Sequence, residues 1–113
     1  MDLSSNGFSG DLPMNLKVIS QAIGDLIGLR TLNLSHNCLE GDIPISLHQL
    51  SVLESLDLSS NKINGEIPQK LTSLTSLEVL NICHNNLVGC IPKGKQFDTF
   101  ENSSYQGNVG LRG

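Results

Sequence analysis

One sixteen-residue stretch recurs three times at a constant distance, and that spacing limits the possible folds more than composition does. LRTLNLSHNCLEGDIP (29–44), LESLDLSSNKINGEIP (53–68) and LEVLNICHNNLVGCIP (77–92) share their landmarks. Asn37, Asn61 and Asn85 are 24 residues apart, and so are Pro44, Pro68 and Pro92. Leu29/Leu53/Leu77, Leu32/Leu56/Leu80, Leu34/Leu58/Ile82 and Gly41/Gly65/Gly89 keep the same period. A unit of this size cannot bury its apolar face alone, so copies must stack and share one core.

The pattern inside each unit, L-x-x-L-x-L-x-x-N-x-L on a period between 20 and 29, is that of a leucine-rich repeat solenoid, an α/β-type right-handed superhelix. Each column has a physical job. In the L-x-L stretch alternate residues point to opposite faces, so Leu32 and Leu34 turn inward while Thr31, Asn33 and Ser35 face out. One strand per coil, stacked on its copy, makes a short parallel sheet on the concave face. The structural Asn ladder (Asn6, Asn37, Asn61, Asn85) stands where the chain leaves the strand, and its amides can serve backbone groups that the turn deprives of partners. Leu39, Ile63 and Leu87 refill the core beyond the turn. The glycine column permits a backbone shape or a close approach that a Cβ would hinder. Ile-Pro adds a core side chain and fixes φ. Leu47/Leu71 and Leu50/Leu74 close the convex side through 3₁₀ or short helical turns and loops.

The first coil breaks the period. Leu3, Asn6, Phe8, Gly10, Leu12 and Pro13 match Leu34, Asn37, Leu39, Gly41, Ile43 and Pro44 at an offset of 31, seven more than the repeat. MNLKVIS (14–20) is therefore surplus, either a bulge on the outer side or the scar of two repeats joined after losing what lay between. The expected organisation is repeats over 1–92, with an irregular coil 1–16, coils 17–44, 45–68 and 69–92 in phase, and a flanking tail 93–113. Three full coils are near the lower limit for a solenoid, and both ends are expected to expose leucine-lined cross-sections.

Several classes of function are excluded or left unsupported. A net charge of −4 without a Lys/Arg cluster argues against nucleic acid or an anionic membrane as partner. Met1 opens directly on a repeat strand, nothing reads as a signal peptide, and no apolar run reaches the ~20 residues of a membrane span. Cys38, Cys83 and Cys90 occupy three different repeat slots, read as unpaired thiols. His36 and His84 share a column but are separated by Ser60, too far apart to share a metal. No nucleophile stands at a defined spacing from a base. No enzyme, no metal and no cofactor is expected.

What remains is a face. Outward strand positions align as Asp2/Asn33/Asp57/Asn81, Ser4/Ser35/Ser59/Cys83, Ser5/His36/Ser60/His84 and Arg30/Glu54/Glu78. In solenoids such a curved surface is the usual place of binding. The expected contacts are Arg30, Glu54, Asp57, Glu78, Asn81 and His84. Two sequons, Asn33-Leu34-Ser35 and Asn102-Ser103-Ser104, make Asn33 and Asn102 candidate glycosylation sites, relevant only on passage through the secretory pathway.

LEGDIP, INGEIP and LVGCIP resemble the plant extracellular subclass of leucine-rich repeats. IPKGKQFDTFENSSYQGNVGLRG (91–113) resembles the closing segment of plant receptor-like proteins of the disease-resistance type. IGDLIGLRTLNLSHN (23–37) is similar to the block after that family's non-repeat island, and MDLSSNGFSGDLPMNL (1–16) to the repeat before it, which places the junction near Lys17. The resemblance covers essentially the whole chain. It implies a protein-binding module at the extracellular face of the plasma membrane that works in defence signalling. Its partners would be a receptor-kinase co-receptor and a peptide or microbial ligand. The family's amino-terminal cysteine cap, upstream repeats, membrane helix and cytoplasmic tail have no counterpart here. Where many relatives read G-L-C-G, Gly110-Leu111-Arg112-Gly113 stands, which puts a cap disulfide in doubt. Two other readings stay open: a secreted inhibitor like the polygalacturonase inhibitors, whose ends usually form a cysteine-paired cap, and a truncated product without function.

Overall fold

A computed structural model describes residues 1–5, 21 and 23–113. Of the first coil's landmarks Leu3 is described, whereas Asn6, Phe8, Gly10, Leu12, Pro13 and the surplus 14–20 lie outside the described residues. In chain order the elements are a 3₁₀ turn η1 (Ile23–Asp25), β1 (Thr31–Asn33), β2 (Glu40–Asp42), η2 (Ile45–Gln49), β3 (Ser55–Asp57), β4 (Lys62–Glu66), η3 (Gln69–Ser73), β5 (Val79–Asn81), β6 (Asn86–Cys90), η4 (Phe97–Thr99), η5 (Asn102–Ser104) and β7 (Gly110–Arg112). This is the leucine-rich repeat solenoid, one strand–turn–strand–3₁₀ circuit per coil.

The concave sheet has the order β1-β3-β5, all parallel. Thr31, Leu32 and Asn33 pair with Ser55, Leu56 and Asp57, and these with Val79, Leu80 and Asn81, so the register equals the 24-residue repeat. An isolated parallel bridge from Asp2 to Asn33 extends the sheet toward the amino terminus.

A second parallel sheet, β2-β4-β6-β7, runs along the flank where the sequence indicated only a turn and core residues. Its pairs are offset by 22, as in Glu40↔Lys62 and Asn64↔Asn86. A slip of two keeps every side chain on its own face of the pleat. Composition hid β2, β4 and β6, because each carries a glycine and ends near a proline, both of which argue against a strand interior. The glycines are there because the backbone requires them. Gly65 has φ +78°, and a Cβ on it would run into the Asp42 carboxylate of the preceding coil.

The Asn column explains how coils join. The Asn61 Nδ2 amide lies 3.0 Å from Leu34 O of the preceding coil, and 3.0 and 3.1 Å from Leu58 O and Ser59 O of its own. Its Oδ1 accepts the Leu39 N–H of the preceding coil at 3.0 Å. Asn85 repeats this with Leu58 O, Ile82 O, Cys83 O and the Ile63 N–H. One side chain thus satisfies four backbone groups at the corner between the two sheets. The residue before Asn37, Asn61 and Asn85 is left-handed, with φ 55–58° at His36, Ser60 and His84, and Ser5 has the same conformation. That bend is unfavourable for a side chain with a Cβ, by roughly 1–2 kcal/mol. It is held because each N–H reaches the next coil: His36 to Ser59 O at 3.0 Å, Ser60 to Cys83 O at 3.0 Å.

Between the sheets and the 3₁₀ turns lies one core. Leu32, Leu34, Leu39, Leu50, Leu53, Leu56, Leu58 and Ile63 are fully buried, and Leu47, Leu71, Leu74 and Leu77 nearly so. Each is worth about 1.5–3 kcal/mol over the exposed state, which outweighs the corner strain.

The carboxy-terminal end departs from expectation. Residues 93–113, read as a flanking tail, wind into a further coil. Asn108 lies 23 residues after Asn85 and forms another rung: its Nδ2 donates to Ile82 O and Tyr105 O, and its Oδ1 accepts the Leu87 N–H. β7 pairs with β6 through Val88↔Gly110 and Gly89↔Leu111. The leucine-lined cross-section expected at this end is covered. Phe97 and Tyr105 join the buried core, and Phe100 packs edge-to-face on Phe97 with centroids 5.5 Å apart. Aromatic side chains seal the stack because they cover more area than leucines and the coil needs fewer of them.

Two expectations follow. Asn61→Ala should lower stability by about 1–3 kcal/mol, since it strands buried backbone groups, whereas Asn64→Ala, at an exposed position, should change little. Urea midpoints of the two variants check this, and equal midpoints would show that the ladder is not what binds the coils. The second concerns Tyr105, the single tyrosine. Its phenol is pushed up to about 12 from 10.0, first by burial and then by the charge of Asp98. A folded-state value above the unfolded one favours the neutral form. The contribution is therefore full below about pH 10 and lost as pH rises through about 12. Phenolate absorbance should titrate near 12 in the folded chain and near 10 in urea. A native midpoint at 10 would mean that the aromatic seal is absent.

Candidate binding face

The concave sheet fixes where the outward side chains stand. Arg30, Glu54 and Glu78 sit just before β1, β3 and β5 and stack one coil apart. The Arg30 carbonyl accepts the Glu54 and Ser55 N–H groups at 2.7 and 3.1 Å, and the Glu54 carbonyl accepts those of Glu78 and Val79 at 2.8 and 3.0 Å. Arg30 Nη1 donates to Glu54 Oε2 at 2.8 Å, with the two side chains 68% and 46% exposed. A pair so open to water contributes only a few tenths of a kcal/mol, so it positions charge more than it holds the fold. Glu78 is exposed beyond it. The row reads cation, anion, anion along the solenoid axis.

The next column is different. Asp57 Oδ1 accepts the Ser59 N–H at 3.0 Å and the Ser59 hydroxyl at 2.6 Å. Asn81 Oδ1 accepts the Cys83 N–H at 3.2 Å, Asn33 Oδ1 the Ser35 N–H at 3.0 Å, and Asp2 Oδ1 the Ser4 N–H at 2.9 Å. The side-chain and backbone hydrogen bonds from Ser4 hold the Asp2 carboxyl below its ordinary value. The recurrence of Asp or Asn is thus a local turn device in which a carbonyl-type oxygen two residues back closes the corner. Asp57 and Asn81 face the concave side but are half-buried and committed to that turn. His84 is exposed, occupies the left-handed corner, and lies against the backbone of Gly107 in the last coil, where a Cβ would meet its ring. Of the six expected contacts, the structure therefore brings Arg30, Glu54 and Glu78 into one free row and gives Asp57, Asn81 and His84 structural work as well.

Sequence reading passed over Val79. It is outward-facing in the middle of β5 and 56% exposed, an apolar side chain on the column Thr31/Ser55/Val79 beside the glutamates. The alternation of the L-x-L stretch contained that signal. Cys83 is half-buried, and its thiol is pushed up first by burial and then by the Asp57 charge, which leaves it protonated and unreactive near neutrality. Cys38 and Cys90 are also free thiols. No helix among the described residues is long and apolar enough to cross a membrane.

Comparison with known proteins agrees with this geometry. The family described as leucine rich repeat matches residues 15–63, and that described as leucine rich repeats (2 copies) matches residues 51–94. No curated protein matches the sequence. Among solved structures, the BIR2 ectodomain from Arabidopsis thaliana is 36% identical, with a TM-score of 0.84 over 99% of this chain and 55% of that one. The structure of the BIR3–SERK2 complex from Arabidopsis thaliana matches at 39% identity and a TM-score of 0.84, again over 99% of this chain and 55% of that one. The ectodomain of the receptor kinase SOBIR1 from the same plant is 27% identical, with a TM-score of 0.68 over 98% of this chain and 70% of that one. The chain spans about half the length of the BIR2 ectodomain. It is built of leucine-rich repeats and shares the fold of plant receptor ectodomains.

Proposed function

We propose that the chain is a protein-binding module from the carboxy-terminal part of a plant cell-surface receptor-like protein in defence signalling. Its concave face meets the ectodomain of a short leucine-rich repeat receptor kinase. The observation that carries this reading is the likeness, over 99% of this chain, to a chain of the BIR3–SERK2 complex, together with a charged row on the face that solenoids use for binding. The closing segment 91–113, which resembles the end of receptor-like ectodomains, favours a receptor over a secreted inhibitor. In the structure it forms a coil closed by aromatic packing rather than by a disulfide.

Arg30, Glu54 and Glu78 steer and orient the partner, and Val79 supplies the apolar contact. Charges at such a rim act mainly on encounter and specificity, and salt screens them over a Debye length of about 10 Å at 0.1 M. The full chain, secreted behind an added signal peptide, should bind a co-receptor ectodomain. Charge reversal, Glu54→Lys with Glu78→Lys, should weaken binding roughly tenfold, equivalent to about 1.4 kcal/mol, and Val79→Asp should weaken it further. Lys70→Glu, on η3 of the convex side, should leave it unchanged. Surface binding at two salt concentrations reads this out. Equal affinity of the concave and convex variants would remove this face from the interface.

A further inference from the structure

We infer that Asn102, and not Asn33, is the N-glycan acceptor of this chain, and that the glycan stands as a post at the carboxy-terminal rim of the concave sheet. The two sequons are alike in sequence and differ in the fold. Asn33 lies inside β1, paired on one side with Asp2 and on the other with Asp57. Its N–H donates to Met1 O and its carbonyl accepts the Leu3 N–H. Its side chain is half-buried, with Oδ1 accepting the Ser35 N–H. Both flanking carboxylates are held in the same turn, at the strand spacing of about 4.8 Å. A sugar on its Nδ2 would have to part this row. The Asn33-Leu34-Ser35 sequence is explained by the repeat itself, since Asp57-Leu58-Ser59 builds the same corner with a residue that cannot carry a glycan.

Asn102 has no such role. It opens η5, is exposed, and is bonded within the fold through its backbone carbonyl, which accepts the Tyr105 N–H at 3.0 Å. No described residue bonds its side-chain amide, so the Nδ2 position is free to carry a bulky group. Its place follows from the stacking. Leu34 N–H donates to Asp57 O, Leu58 N–H to Asn81 O, and Ile82 N–H to Ser104 O. Ser104 therefore stands one coil on from Asn81. Asn102 opens the 3₁₀ turn η5, which stands against β5 where a further strand would lie, so it sits at the carboxy-terminal end of the concave sheet. A glycan there stands at the β5 end of the sheet and leaves the Arg30–Glu54–Glu78 row open from the amino-terminal side.

The inference rests on the extracellular reading, because the modification needs the secretory pathway. An added signal peptide separates the two: it supplies the pathway whether or not the natural protein enters it. The full chain so expressed in plant cells is analysed by intact mass and by peptide mapping after peptide-N-glycosidase. One glycan is expected, located at Asn102, lost in Asn102→Gln and Ser104→Ala, kept in Ser104→Thr and unchanged in Asn33→Gln. Secreted chain with unmodified Asn102, or with a glycan on Asn33, overturns the inference. Failure of co-receptor binding by a chain glycosylated at Asn102 counts against the proposed function and leaves this assignment intact.

Discussion

The structure depends on one side chain repeated along its axis. A solenoid coil must turn a corner after its inward leucines, and the corner leaves buried carbonyls and an N–H without strand partners. Asn61 and Asn85 each satisfy backbone groups in their own coil and in the coil before. An isosteric leucine could fill the volume but not the bonds, and an aspartate could accept but not donate. The ladder therefore fixes the corner, joins adjacent coils and sets the common register from which both sheets grow.

The candidate binding face is a by-product of that register. Parallel pairing at 24 residues stacks Arg30, Glu54 and Glu78, and the same stacking aligns Asp2, Asn33, Asp57 and Asn81. The two columns are neighbours yet differ in freedom. The first projects into solvent, while the second closes turns with its own oxygens. The outward alternation of a strand shows which residues face a partner, and local hydrogen bonding decides which of them remain available to it. The apolar Val79 beside two glutamates gives the face a mixed character suited to a protein surface.

Much of this was legible in the sequence. The 24-residue period yields the coil, the inward leucines, the ladder positions Asn37, Asn61 and Asn85, and the outward columns, because each is a matter of spacing. Four features were not. The flank sheet is written in residues that disfavour strands, with Gly41, Gly65 and Gly89 at its centre. The left-handed corners at His36 and His84 carry no composition signal, as the cost is met by a backbone bond to the following coil. Asn108 was missed because its coil is one residue shorter and replaces the leucine pattern with Phe97 and Tyr105, so only the ladder contact reveals it. The turn role of Asp57 and Asn81 was hidden for a related reason. A polar residue on an outward column reads as a ligand contact until its oxygen is seen to be occupied.

The central claim is that coils are joined at the Asn column through to the last one. Native-state hydrogen exchange tests it most directly. The Leu39, Ile63 and Leu87 N–H groups each donate to the Oδ1 of the following rung, at Asn61, Asn85 and Asn108. All three should exchange as slowly as the amides of β3, opening with the whole stack. Fast exchange at Leu87 and across 93–113, with protection kept at Leu39 and Ile63, would contradict the last rung. Fast exchange at all three would contradict the ladder itself.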